Sequence, residues 1–229
     1  MLRLLKTFFF VCALSPMCQT VSADSIYNVT LNTAPLVGHP AGPFYVEWTF
    51  TDGSGVGDAN NTVTMSNINF GGGSALGDPL VFGGASGSLE TGVAITDSSV
   101  LSLFSEQFAP GLQLSFSLDL TSNDDAGGTS DGLTLFVLDS SGVPIPTLAP
   151  FGDYFIGATL GSTGAMFDAY GSDPSRALTV GDPVSIPVPT ITAVSGTPEP
   201  NSIYFLGAAL AAMAVLKHRR HRSSTRQFR

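Results

Sequence analysis

Leu112-Gln113-Leu114-Ser115-Phe116-Ser117-Leu118-Asp119-Leu120 alternates apolar and polar side chains without a fault. Successive strand residues point to opposite faces, so this run predicts a strand with one buried and one wet face. Val46, Trp48 and Phe50 alternate with Glu47, Thr49 and Thr51 in the same way. Val63 and Met65 give way to Ile68 and Phe70, a one-residue change of phase that predicts a bulge near Ser66-Asn67. Leu133 to Leu138 is apolar on both faces, as a central strand is. Further strands are expected near Leu89 to Ile95, Val100 to Phe104 and Tyr154 to Leu160. One more is expected within Val184 to Val194, where Pro187 and Pro189 confine it to a sheet edge.

No amphipathic helical pattern interrupts these runs between Asp24 and Gly196, and Gly, Asp, Asn and Ser separate them. About eight short strands with such turns predict an all-β fold, a β-sandwich of jelly-roll type. Composition agrees. Of 229 residues, 26 are Gly and 15 are Pro, and charged residues make up 12% against a usual share of about 25%. That excludes a coiled coil, a charge-rich disordered chain and a basic nucleic-acid binder.

The charge is sharply partitioned. Seventeen acidic side chains and one basic one, Arg176, fall between Asp24 and Gly196, a net −16 that phosphate backbones and anionic lipids repel. The other basic residues lie at the two ends, beside apolar runs.

Arg3 and Lys6 precede the apolar Thr7 to Leu14, and Val21-Ser22-Ala23 supplies small residues, so residues 1–23 read as a signal peptide cut after Ala23. Both cysteines, Cys12 and Cys18, lie inside that leader, so the mature chain has no thiol for catalysis or metal binding. A domain of residues 24–196 is long enough to bury a core without a disulfide.

At the other end, Thr197-Pro198-Glu199-Pro200 is followed by an apolar run, Ser202 to Leu216, and then by the basic tail 217–229. A helix over 202–216 is about 22 Å long against a hydrocarbon core of roughly 30 Å, a marginal span with its basic end on the cytoplasmic side. The two prolines break the helix and hold extended backbone beside the membrane, which is what a protease needs.

This ordered trio over Thr197 to Arg222 resembles the PEP-CTERM sorting signal of exported proteins in Gram-negative bacteria. The resemblance implies recognition through Pro198, Glu199 and Pro200 and processing by an exosortase, with an inner-membrane intermediate and a final place at the cell surface or in the extracellular matrix. Exosortase systems accompany exopolysaccharide production, so it further implies a structural or adhesive role near that polymer; the acidic middle, for its part, leaves no nucleic-acid partner expected. The body is also similar to an uncharacterised group of PEP-CTERM ectodomains with a strand–acidic loop–strand unit like that of Leu112 to Asp139. A lectin-like carbohydrate-binding module is the competing reading, on fold analogy, and a glycoside hydrolase ranks third.

The residues offer little catalytic equipment, and no enzyme is expected. His39 is the one histidine of residues 24–196, and a Ser-His-Asp triad would have to use it; no G-x-S-x-G elbow is present. Glu47, Glu90 and Glu106 could supply the two carboxylates of a glycosidase, but Glu47 reads as solvated and Trp48 as core. Gly71-Gly72-Gly73 reads as a turn, not a phosphate loop. The loop Asn123 to Gly132 carries Asp124, Asp125 and Asp131, whose oxygens suit Ca²⁺ without the spacing of a known calcium loop. A solvated hairpin connection explains it without a metal, so no metal site and no cofactor is assigned.

Overall fold

The computed structural model describes residues 25–194. The signal peptide expected to end at Ala23, the Pro198-Glu199-Pro200 motif and the apolar run 202–216 lie outside the described residues, among which no helix is long and apolar enough to cross a membrane.

Among the described residues there are twelve strands and one three-residue 3-10 turn, Ala34–Leu36. The strands are β1 (Ser25–Asn32), β2 (Phe44–Thr51), β3 (Thr62–Asn69), β4 (Ser74–Phe82), β5 (Gly84–Ser88) and β6 (Gly92–Thr96), then β7 (Leu101–Ala109), β8 (Gln113–Leu120), β9 (Asp131–Leu138), β10 (Ile156–Gly161), β11 (Gly164–Ala169) and β12 (Thr190–Val194). They form two six-stranded sheets, β12-β1-β8-β3-β6-β5 and β11-β10-β9-β2-β7-β4, built from antiparallel pairs.

The alternation in β8 and β2 is what makes the sheets stack. Leu114, Phe116, Leu118 and Leu120 of β8 are buried, as are Phe44, Val46, Trp48 and Phe50 of β2, while the residues between them face outward. Trp48 and Phe116 meet edge to face across the interior, ring centres 5.7 Å apart, a geometry that aromatic quadrupoles favour. Tyr27 of β1 and Phe167 of β11 meet in the same way at 4.7 Å. Residues of both sheets join one apolar cluster, an arrangement consistent with a β-sandwich.

The phase change in β3 is a bulge: its register against β8 shifts between Ser66 and Asn69, and Asn67 takes φ 54°, a left-handed conformation that Asn tolerates better than most residues. β9 is central, between β10 and β2, but only one face is fully buried; Thr134 and Phe136 are half-covered. Within the expected run Val184 to Val194 only Thr190–Val194 pairs as a strand, at an edge, after Pro187 and Pro189. The run expected from Leu89 becomes a strand only at Gly92, because Leu89 sits in the preceding turn with its N–H on Glu106.

Strands β4 and β5 form one flank, where the chain steps between sheets at Gly83 (φ 64°). A Cβ there would sit 2.6 Å from the Leu101 carbonyl oxygen, so the corner requires glycine.

The acidic segment Asn123 to Gly132 is not a hairpin. Strand β8 lies in one sheet and β9 in the other, so the segment crosses between them. The β2–β3 and β6–β7 connections make the same crossing. Pairings Thr51↔Gly132, Thr51↔Leu101, Thr62↔Thr96 and Val63↔Leu120 put all three crossings at one end of the sheets.

Candidate functional site

The three crossings bring carboxylates together that are far apart in sequence. In the β2–β3 connection the chain wraps around Asp52. Its Oδ1 accepts from Ser54 Oγ (2.7 Å), Gly55 N–H (2.6 Å) and Val56 N–H (3.3 Å), and its Oδ2 from Gly57 N–H (3.0 Å) and Asp58 N–H (3.3 Å). Burial alone would raise this carboxyl, but those donors outweigh it and hold Asp52 below the usual carboxylate range.

Asp125 and Asp131 come from the β8–β9 crossing. Asp125 accepts Ser54 N–H (2.6 Å) on Oδ2 and the Asn60 amide (2.8 Å) on Oδ1. Asp131 accepts Gly53 N–H (2.8 Å) and the Asn61 amide (2.7 Å). Asp97, at the start of the β6–β7 connection, accepts Asn61 N–H (3.0 Å) on Oδ2.

One carboxylate oxygen from each of Asp52, Asp58, Asp97 and Asp125 lies within 4.8 Å of all the others. Asp52, Asp97 and Asp125 are buried, as is Asp131 beside them, and only Asp58 is exposed. Two unit charges at such a separation repel by about 3 kcal/mol at an effective dielectric near 20. Arg176, the one basic side chain of the described residues, is engaged elsewhere, in a two-pronged pair with Asp153 (2.7 and 2.8 Å).

The electrostatic consequence falls on Asp97. Burial, and then the Asp131 carboxyl next to it, push its carboxyl up to about 7; Asp131 is itself pushed up by burial. Two buried oxygens here have no hydrogen-bond donor: Asp97 Oδ1, on a side chain that is 0% exposed, and Asn60 Oδ1. The donor set is oxygen only, the chemistry of a hard divalent cation.

The loop read from sequence contributes Asp125 and Asp131 to this cluster but not Asp124. That residue is exposed and reaches outward, accepting the Ser162 N–H (2.9 Å) and hydroxyl on the β10–β11 turn. Nor are Asp125 and Asp131 solvated, as a surface hairpin would leave them. Sequence reading missed Asp52, Asp58 and Asp97. Asp52 and Asp97 each follow the last residue of a strand, the one local signal they carry.

The other candidates separate. His39 receives Ala41 N–H on Nδ1 (3.2 Å), and its Nε2 lies 3.0 Å from the Asp182 carbonyl, so both ring nitrogens serve the backbone. Trp48 is core, as expected. Glu47 and Glu106 sit on neighbouring strands but on opposite faces: Glu106 is buried inside, holding Leu89 N–H at 2.7 Å, and Glu47 is half-buried outside. Burial raises both carboxyls, yet they cannot flank one glycosidic bond. Glu90 is exposed.

The outer face of the second sheet carries a patch of aromatics. Tyr154 lies edge-on to Phe136 (6.4 Å) and Tyr170 (5.5 Å), and its hydroxyl donates to Asp168 at 2.6 Å. Tyr45, bonded to Gln107 at 3.2 Å, and Glu47 continue this face on β2.

No family model matches the chain, and no curated protein or solved structure matches it either.

Proposed function

We propose that this chain is an exported protein, sorted to the cell surface or extracellular matrix through a C-terminal signal of the PEP-CTERM type, where its acidic β-sandwich plays a structural or adhesive part in the exopolysaccharide layer. The observation that carries this reading is the order of parts at the C-terminus: Pro198-Glu199-Pro200, the apolar run 202–216 and the basic tail, in a chain that opens with a leader ending at Ala23. We read the sandwich as a jelly roll, since β1-β8-β3-β6 stacked on β2-β7-β4 is the strand order of two interleaved Greek keys. A non-enzymatic role fits the separation of Glu47 from Glu106 and the engagement of both His39 nitrogens with backbone.

Mass spectrometry of surface material from the native host tests the reading. The exported form should begin at Asp24 and lack everything beyond the motif, the work of an exosortase acting on an inner-membrane intermediate. Peptides from beyond Tyr204 in that form would sink the processing step. Replacing Pro198-Glu199-Pro200 with alanines should trap the C-terminus in the inner membrane; an unchanged surface yield would count against the motif.

The aromatic face supports a second reading, a carbohydrate-binding module. Phe136, Tyr154 and Tyr170 offer apolar faces to a sugar ring, and Glu47, Gln107 and Asp168 offer hydrogen-bonding groups beside them. A glycan array in which binding is lost on Phe136→Ala would favour it; no binding to any glycan would remove it.

A further inference from the structure

We propose that Asp52, Asp58, Asp97 and Asp125, with Asp131 and Asn60 beside them, form a Ca²⁺ site that ties together the β2–β3, β6–β7 and β8–β9 connections between the sheets. Convergence of carboxylates alone would not carry this, since acidic groups often gather at loop ends without an ion. The deciding observation is the pair of buried, donorless oxygens. Asp97 is 0% exposed, its Oδ2 takes Asn61 N–H, and its Oδ1 receives no N–H or hydroxyl from the described residues and has only the Asp131 carboxyl beside it. Asn60 turns its amide nitrogen onto Asp58 (3.2 Å) and Asp125 (2.8 Å) and leaves its Oδ1 buried without a partner. Buried oxygens of this kind are rare in folded proteins unless something positive meets them. Among the described residues no Lys or Arg is left to meet them, because Arg176, the one such side chain there, is held by Asp153.

The choice of ion follows from the ligands. Within residues 24–196 there is no cysteine, and the one histidine, His39, is bound to backbone away from the cluster, so soft and borderline metals lack their preferred donors. Four carboxylates within 4.8 Å, joined by Asp131 and the Asn60 amide oxygen, can supply the six to eight oxygens that Ca²⁺ accepts in irregular geometry. Mg²⁺ demands a near-ideal octahedron and keeps its waters, which suits three loops of independent origin less well. Exposed Asp58 gives the ion a way in from solvent. This inference does not depend on where the protein is exported.

A shared proton is the rival occupant: with Asp97 protonated toward Asp131, the cluster carries one charge fewer and needs no ion. Melting of the full-length chain, purified in detergent and stripped with EDTA, separates the two. CaCl₂ at about 100-fold over its Kd should raise Tm by roughly 5–10 °C. MgCl₂, or NaCl at matched ionic strength, should do clearly less. Calorimetric titration should find one Ca²⁺ per chain in the micromolar to millimolar range. D97N keeps the shape and the acceptor for Asn61 N–H, and D58N alters an exposed residue, so both should fold. Each should weaken Ca²⁺ binding at least 10-fold, while D182N, an exposed carboxylate elsewhere, should leave it unchanged. A Tm shift no larger with Ca²⁺ than with Mg²⁺ or matched Na⁺ overturns the proposal and leaves the shared proton. So does a Ca²⁺ response that survives both D97N and D58N.

Discussion

Asn61 is the side chain on which the loop end of the sheets most depends, and Asn61→Ala should show it. The residue is 0% exposed. Its amide nitrogen donates to Asp131 Oδ2 (2.7 Å) and the Asn123 carbonyl (2.8 Å), and its oxygen receives Asn123 N–H (2.8 Å). Truncation removes these three bonds and two longer ones to the same oxygen, from Asn123 Nδ2 (3.3 Å) and Thr121 Oγ1 (3.5 Å); the three short ones tie the β2–β3 connection to the β8–β9 crossing, and one of them is charge-assisted. At about 1–2 kcal/mol for each of the three short bonds, the loss is about 3–6 kcal/mol. A domain of this size loses roughly 2–4 °C of Tm per kcal/mol, so the shift should be near 10 °C. The assay is thermal and urea unfolding in EDTA, followed through Trp48, the one tryptophan, which is fully buried between the sheets. Thr64→Ala, on the outer face of the same β3, should stay within about 0.5 kcal/mol of the parent. Asn61→Asp sharpens the test, because it keeps the shape but turns a donor into a carboxyl facing Asp131. It should be at least as damaging at pH 7 and recover as the pH falls. If Asn61→Ala shifted the midpoint no more than Thr64→Ala, the network would not be what holds the crossings.

Two further outcomes follow from single sites. Burial, opposed by the Leu89 N–H and aided by Glu90 and Asp78, keeps Glu106 protonated to a higher pH in the folded than in the unfolded chain. Its folded form therefore binds more protons above the ordinary carboxylate range, and stability falls as pH rises through that window. Glu106→Gln, which keeps an acceptor for Leu89, should be more stable than the parent at pH 8 and close to it at pH 4; urea midpoints that rank the parent higher at pH 8 would refute this. A Cβ on Gly73 would run into the Ala109 carbonyl and approach Gly111 N to 2.7 Å, all backbone that cannot rotate away. Gly73→Ala should thus cost about 3 kcal/mol or more, against about 1 for Gly127→Ala, whose φ is 111° but whose surroundings are open; equal melting temperatures would contradict the packing argument.

The fold was legible wherever burial on one face wrote itself as period two. β2 and β8 carry that pattern because each sheet has one inner face, and the slip at Ser66-Asn67 was readable because a bulge moves later side chains to the other face. β1 lacks that signal: Ile26 points out while Tyr27, Val29 and Leu31 point in, so its apolar residues occupy both faces. β5 is Gly-Ala-Ser-Gly-Ser, with almost no side chain to pattern, and is a strand because β6 pairs with it. In β4, Gly77 and Pro79 look like breakers, and they fall where the register against β7 shifts between Leu76 and Leu80.

The acidic cluster was half-legible, and for a topological reason. Asp125 and Asp131 are neighbours in sequence, so a loop could be suspected from them alone. Asp52 and Asp97 join them only because three separate connections change sheets at the same end, and no local pattern encodes that coincidence. The net charge of residues 24–196 then misleads, since a domain with seventeen acidic residues invites a picture of carboxylates spread over a wetted surface. Asp78, Glu90, Asp119, Asp168 and Asp182 do face solvent, where salt screens them within about 10 Å at 0.1 M. Asp52, Asp97, Asp125 and Asp131 do not, and bulk salt reaches them poorly. Their mutual repulsion is met by backbone N–H groups at Asp52, by the Asn61 and Asn60 amides at Asp131 and Asp125, and at Asp97 Oδ1 by no N–H or hydroxyl of the described residues. A group so placed either keeps a proton or meets a cation. That single oxygen separates an acidic surface from an acidic site.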